Sequence, residues 1–154
     1  VLENSTTKEI YLDCYLRVYP WEIKRSNVRR GTYIFVKVAL GNVTLYSRKV
    51  SLVGVVKEIY VGGRYADIFL TLNEDVIRLR LWPEKRHLIE IKGISERKYV
   101  EAYGVLREDR DGSIYVSLQA VRIVGEKYLE DFHSKIVDDR RFLREYFEKA
   151  LLRS

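Results

Sequence analysis

Residues 76–82 read Val-Ile-Arg-Leu-Arg-Leu-Trp, and the period of two in a strand sorts them onto two faces. Ile77, Leu79 and Leu81 fall on one face; Arg78, Arg80 and Trp82 fall on the other. Guanidinium groups neutralise phosphates and release their counterions. An aromatic ring beside them stacks on an unpaired base, worth about 1–3 kcal/mol whatever the base. The preceding segment, 65–72, supplies a matching row. With Ala66, Ile68, Leu70 and Leu72 inward, Tyr65, Asp67, Phe69 and Thr71 emerge beside the arginines. Phe69 and Trp82 are then expected to form one aromatic platform, flanked by Lys57, Arg64, Arg107 and Arg110 from neighbouring loops. The same residues also allow a structural reading. In that reading Trp82 caps the core against Leu88, Phe69 packs under the N-terminal chain, and Arg78 and Arg80 pair with carboxylates across the sheet. Asp67, Asp109 and Asp111 near this surface argue against very tight binding of a polyanion.

Such a surface needs a curved sheet behind it. From residue 49 the chain is β-rich through 50–60, 65–72 and 76–82, with turns at Gly62-Gly63-Arg64 and Asn73-Glu74-Asp75. Gly54, central in the first run, marks a sharp bend or a bulge. Pro83 ends the β pattern, and residues 84–92 suit about two helical turns with Leu88, Ile89 and Ile91 as contacts. Residues 99–106 and 113–124 form a last hairpin around 108–112. Three meandering strands, a helical connection and two further strands is the order of a five-stranded OB-fold barrel.

The expected architecture is therefore mainly β. It has an N-terminal extension at 1–48 packing on the barrel, the barrel at 49–124 and a C-terminal amphipathic helix at 125–154. In the extension, Pro20-Trp21 reads as a break, 24–31 as a basic loop, and Gly41-Asn42 as a hairpin turn. In the last segment Leu129, Phe132, Ile136, Leu143, Tyr146, Phe147, Ala150 and Leu151 recur at three- and four-residue steps, with an interruption expected around Asp138-Asp139. That stripe suits either a seam for partner subunits or packing on the helix's own barrel.

Composition narrows the function. A chain of 154 residues is one domain's worth, and a net charge of +6 favours a polyanionic partner, though only weakly. Cys14 is the only cysteine, and with His87 and His133 alone beside it no metal, cofactor or nucleophile–base pair is expected. Asp67, Glu74 and Asp75 are the nearest carboxylate group for a metal-dependent nuclease, but turns between strands commonly carry such residues. A non-enzyme is the expectation. No apolar run approaches a membrane span, and Val1-Leu2-Glu3-Asn4-Ser5 lacks the layout of a secretory signal. An intracellular setting follows as the default. The absence of Met and the 32% charged residues resemble a thermophile's composition.

Several segments together resemble the middle subunit of replication protein A, the heterotrimeric single-strand-binding protein. They are Leu40-Gly41-Asn42-Val43-Thr44-Leu45, Val50-Ser51-Leu52-Val53-Gly54-Val55-Val56, the strand ending in Trp82, and Tyr99-Val100-Glu101-Ala102-Tyr103-Gly104-Val105-Leu106-Arg107. The likeness spans roughly residues 35–152, and its order and spacing are more specific than any one motif. It implies a non-catalytic single-stranded DNA-binding subunit acting in replication, recombination and repair; together with the composition it favours an archaeal type, cytoplasmic and nucleoid-associated, with a nuclear setting for a eukaryotic one. It also implies that the C-terminal helix joins large and small partner subunits, and that Trp82 stacks on a base. The telomeric counterpart of the subunit shares the layout. The family's second stacking aromatic lies where this chain has Glu108-Asp109-Arg110-Asp111-Gly112 and no ring, with Tyr115 nearby but shifted. A competing reading makes the barrel a scaffold that assembles through its helix.

Overall fold

A computed structural model describes residues 7–153. The N-terminal pentapeptide read above lies outside the described residues, as do Thr6, Ser154 and the side chains of Ile91 and Arg153. The extension carries β1 (Lys8–Leu12), β2 (Leu16–Arg17), α1 (Pro20–Arg25), β3 (Asn27–Arg30), β4 (Tyr33–Leu40) and β5 (Val43–Ser47). The barrel strands follow as β6 (Lys49–Val61), β7 (Ala66–Leu72), β8 (Asp75–Leu81), β9 (Tyr99–Glu108) and β10 (Ile114–Val124). A 3₁₀ turn at Pro83–Lys85 and α2 (Leu88–Ile91) connect β8 to β9, and α3 (Tyr128–Arg153) closes the chain.

The barrel order is β6-β7-β8-β10-β9, with β9 returning to pair with β6. This is the closed five-stranded OB fold expected from the sequence. Alternation along β7 and β8 delivers Ile68, Leu70, Ile77, Leu79 and Leu81 to the core, where each is buried. β6 serves two neighbours, with Lys49 to Val55 on β9 and Val55 to Val61 on β7. Gly54 sits where they cross, and a Cβ there would lie 2.6 Å from the Thr71 carbonyl oxygen. Gly104 answers the same demand 2.4 Å from the Ser117 carbonyl oxygen. Close backbone approach, not a bulge, is what Gly54 permits; the bulge of β6 falls between Val56 and Glu58, at Lys57.

The extension contains the hairpin expected at Gly41-Asn42, where β4 pairs antiparallel with β5, and more besides. β1, β5, β4 and β3 form a second sheet, and β2 runs parallel to the start of β6. Pro20 does not break the chain there but opens α1, since the first helical position needs no N–H and favours its fixed φ. The Tyr19 N–H donates to Glu22 Oε1 at 2.9 Å, satisfying one end of that helix. The expected basic loop at 24–31 is instead the end of α1 followed by strand β3, which pairs along β4.

α3 runs unbroken through Asp138 and Asp139, contrary to the interruption expected there. Asp139 accepts a hydrogen bond from Arg17 at 2.5 Å, so the acidic pair helps hold the helix down. Phe132 and Ile136 are buried against Val53, while Leu143, Phe147 and Leu151 pack on the main core. Arg140 clasps the buried Glu22 through two hydrogen bonds of 2.7 and 2.8 Å. Among the described residues no helix is long and apolar enough to cross a membrane.

Glu101 of β9 ties the start of α3 to the barrel, accepting from Arg122 at 2.6 Å and from the Tyr128 hydroxyl at 2.7 Å. Burial works to raise its pKa, but those hydrogen bonds and the charge of Arg122 outweigh it and hold the carboxyl below its ordinary 4.5. A carboxyl lowered by folding stabilises fully above its unfolded value, and that contribution fades as pH falls through the folded one. Between about pH 5 and pH 3 the melting temperature is therefore expected to fall more steeply for the native chain than for Glu101→Gln. Parallel slopes in a thermal-melt series would contradict this.

Candidate nucleic-acid interface

β7 and β8 are joined by a two-residue turn in which Asn73 and Glu74 both take positive φ, 57° and 80°. Both central residues left-handed is the hairpin turn whose twist matches the strands. It sets Leu72 opposite Asp75 and carries the register back to Ala66 opposite Leu81. One step further, Tyr65 and Trp82 meet edge to face, their rings 5.5 Å apart. Phe69 is elsewhere, across from Arg78. The aromatic pair of the site is thus Tyr65 and Trp82, not Phe69 and Trp82 as the alternation alone suggested.

Asp67 lies across from Arg80 and receives two hydrogen bonds from it, 2.9 and 3.2 Å long. Asp109, on the turn between β9 and β10, stands 3.3 Å from both Arg80 and Arg78. The Arg80 guanidinium also rests 3.7 Å from the Tyr65 ring centre and 4.5 Å from that of Tyr115. These contacts leave Arg80 only 2% exposed. Burial alone would favour the neutral form, but the hydrogen bonds and charge of Asp67, helped by Tyr65 and Asp109, raise its pKa above the ordinary arginine value. The expectation that Arg80 stands free for phosphate therefore needs correcting: its charge is answered within the protein. Asp109 is held below its usual range first by the Arg110 N–H, against some burial, and then by Arg80 and Arg78.

Trp82 is half-buried and lines an open groove with Arg64, Tyr65, Arg80, Asp109 and Arg110. The side chains of Arg64 and Arg110 are exposed and form no ion pair among the described residues. Phe69 and Arg78 line a separate hollow with Ile23, Lys24 and Asn27, so α1 stands beside them. Arg78 there donates to Ser113 Oγ at 2.7 Å. Lys57 projects exposed from the bulge of β6 and does not line the Trp82 groove. Arg107 is exposed on β9, beyond Tyr115 from the tryptophan. The eight expected residues are thus divided: Trp82, Arg80, Arg64 and Arg110 share one groove, Phe69 and Arg78 another, and Lys57 and Arg107 stand apart. What the alternation missed is Tyr65 as the partner of Trp82, which counting back from the Asn73–Glu74 turn would have found.

The C-terminal stripe also divides. Leu129, Phe132, Ile136, Leu143 and Phe147, read as possible partner contacts, face the helix's own chain. Of the whole stripe, partner contacts expected at Tyr146 and Ala150 included, only those two are exposed. The large apolar side chains that α3 shows to solvent are Val137, Phe142, Tyr146 and Leu152. Among the described residues no group of three or more metal-ligating side chains comes together.

No known family model matches the chain. Its fold is shared with a chain of the S. pombe Stn1–Ten1 complex at a TM-score of 0.68 and 10% identity, covering 90% of this chain and 99% of the other. A chain of a replication protein A heterotrimer bound to single-stranded DNA superposes at a TM-score of 0.63 and 15% identity, over 85% of this chain and 98% of that one. At those identities the likeness shows a shared fold over most of both chains. A protein of Thermofilum pendens is nearer in sequence, 40% identical over 147 residues that cover 96% of this chain and 86% of the relative. The chain belongs to the same family as that protein, which is described as an uncharacterized 18.7 kDa protein in a ribosomal RNA operon.

Proposed function

We propose that this chain is a non-catalytic single-stranded DNA-binding subunit of a replication protein A-like complex, serving replication, recombination and repair in an archaeal cytoplasm. The observation that carries the reading is the Tyr65–Trp82 pair in an open groove edged by Arg64 and Arg110. A ring half open to solvent offers a base a stacking surface, and cations beside it suit a backbone. The fold shared with a replication protein A chain, from a structure described as bound to single-stranded DNA, supports the same role. The apolar residues exposed on α3, Phe142 and Tyr146 foremost, support docking onto larger and smaller partner subunits.

Binding of a labelled oligothymidylate tests the proposal. Trp82→Ala is expected to weaken affinity by about 5- to 150-fold, the equivalent of one lost stacking contact. Arg64→Ala and Arg110→Ala are each expected to lower the slope of log affinity against log salt by about 0.7. Unchanged affinity in Trp82→Ala would sink the DNA-binding role. An RNA of equal length belongs in the competition, since the Thermofilum relative is described from a ribosomal RNA operon.

The scaffold reading has one observation in its favour. Both β8 arginines are already answered by Asp67 and Asp109, so the strand that seemed most basic offers little free charge. If the complex assembled through α3 retains full DNA affinity without the Trp82 ring, the barrel is a scaffold.

A further inference from the structure

Positive charge without an ion-pair partner among the described residues, missing from β8, is found on the far side of Tyr115. That residue pairs across the β9–β10 ladder with Arg107. Its ring lies against Arg80 on one side and lines a second groove with Tyr33, Arg48 and Arg107 on the other. Arg48 follows β5, where its carbonyl accepts the Leu106 N–H at 2.8 Å, which ties the extension to β9 beside the barrel. The Arg48 guanidinium is stacked 3.8 Å from the centre of the Tyr33 ring. Stacking of this kind uses the flat face of the guanidinium and leaves its in-plane N–H groups for anionic oxygens. Arg48 Nε is buried with no hydrogen-bond partner, and Arg107 has no ion-pair partner among the described residues. The acids nearby are engaged: Glu108 with Arg29 and Asp13 with Lys49. The groove continues into a third, which shares Arg48 and Arg107 and adds Phe35 and Lys49.

We infer that a bound single strand leaves the Trp82 groove across Tyr115 and runs onto this second track, where Arg48 and Arg107 hold its phosphates and Tyr33 offers a ring to its bases. The inference rests on the DNA-binding reading above and extends its site onto the N-terminal sheet. Positive charge without ion-pair partners, set between the partly exposed Trp82 and the half-exposed Tyr33 with the buried Tyr115 ring between them, is the combination that a non-specific single-strand path requires. It also accounts for a binding surface whose β8 arginines are neutralised: the Trp82 groove keeps only Arg64 and Arg110, and the junction of β9 with the extension adds Arg48 and Arg107.

The test compares oligothymidylates of about 4 and about 16 nucleotides on the full chain, since one OB barrel accommodates strands in that range. Arg107→Glu is an exposed change, and Arg48→Ala with Arg107→Ala forms the stronger variant. Both are expected to weaken the long oligonucleotide severalfold while leaving the short one unchanged. The double variant is expected to lower the salt slope for the long strand by about 1.4. A 5-iodouracil placed toward one end of the long strand is expected to cross-link to Tyr33. If Trp82→Ala weakens both lengths but Arg107→Glu leaves the long strand's affinity and salt slope unchanged, the second track is overturned and the barrel site stands. If Trp82→Ala changes neither length, the DNA-binding reading itself falls.

Discussion

Replacing Arg80 with alanine is expected to cost the fold about 3–5 kcal/mol, the penalty for leaving a buried charge without its partner. Arg80 and Asp67 are 2% and 4% exposed, and the carboxylate of Asp67 would lose both hydrogen bonds at once. The two tyrosine rings stacked against the guanidinium would lose their filling as well. Asp67→Ala is expected to cost less, because the stranded arginine keeps Asp109 at 3.3 Å. A pair of apolar replacements, Asp67→Leu with Arg80→Met, removes both charges and is expected to recover most of the loss. Urea midpoints at constant slope measure all three. An Arg80→Ala chain within about 1 kcal/mol of the native one would show that the pair carries no such weight.

That expectation governs how the site is probed. Arg80 reads from the sequence as a phosphate contact, and its removal would weaken the proposed DNA binding whether or not it ever touches DNA. Arg80 sets the distance between Tyr65, Tyr115 and the β9–β10 turn, so its loss loosens the groove itself. Trp82 is the cleaner variable. Its ring is half-buried, meets Tyr65 at one edge and lies 5.7 Å from the Arg80 guanidinium, so truncating it removes one ring contact while the ion pairs of Arg80 with Asp67 and Asp109 stay in place.

The sequence carried the barrel well because its signals are local. Alternation sorted Ile77, Leu79 and Leu81 from Arg78, Arg80 and Trp82, and the core took the first set. A Pro83 stop and a short helical run marked the connection between strands three and four. What alternation reports is the side of a sheet, not what covers that side. Arg80 is covered by Tyr65 from β7's edge, Tyr115 from β10 and Asp109 from a turn, three places with no sequence proximity. Arg48 and Tyr33 went unnoticed for the same reason, since only the docking of the extension on β9 brings them to Arg107. The α3 stripe was legible as a stripe, while its direction depended on how the extension packs on the barrel. Tyr19, Glu22 and Arg17 turn out to be its partners.

Phe132→Ala is the second large effect expected, about 3–5 kcal/mol for truncating a buried aromatic side chain. The ring is 1% exposed and packs with Val53, Ile136, Tyr19 and Leu129, so alanine opens a cavity among elements from both ends of the chain. A helix that merely awaited a partner would not respond this way: truncation on its outer face costs little in the isolated chain. Phe142→Ala supplies that contrast, since its ring is 66% exposed. The pair of variants separates the two jobs of α3. Loss of stability in Phe132→Ala with none in Phe142→Ala would establish an inner face that belongs to the fold and an outer face left for assembly. Equal, small effects would mean that the helix rests loosely on the barrel and that its whole stripe is open to partners. Deleting residues 126–154 cannot make this distinction, because it uncovers Val53 and Tyr19 and strands Glu22 without Arg140. Phe132→Ala opens only the contact with Val53 and Tyr19 and keeps the Arg140–Glu22 clasp, while Phe142→Ala leaves both in place and so reads the outer face alone.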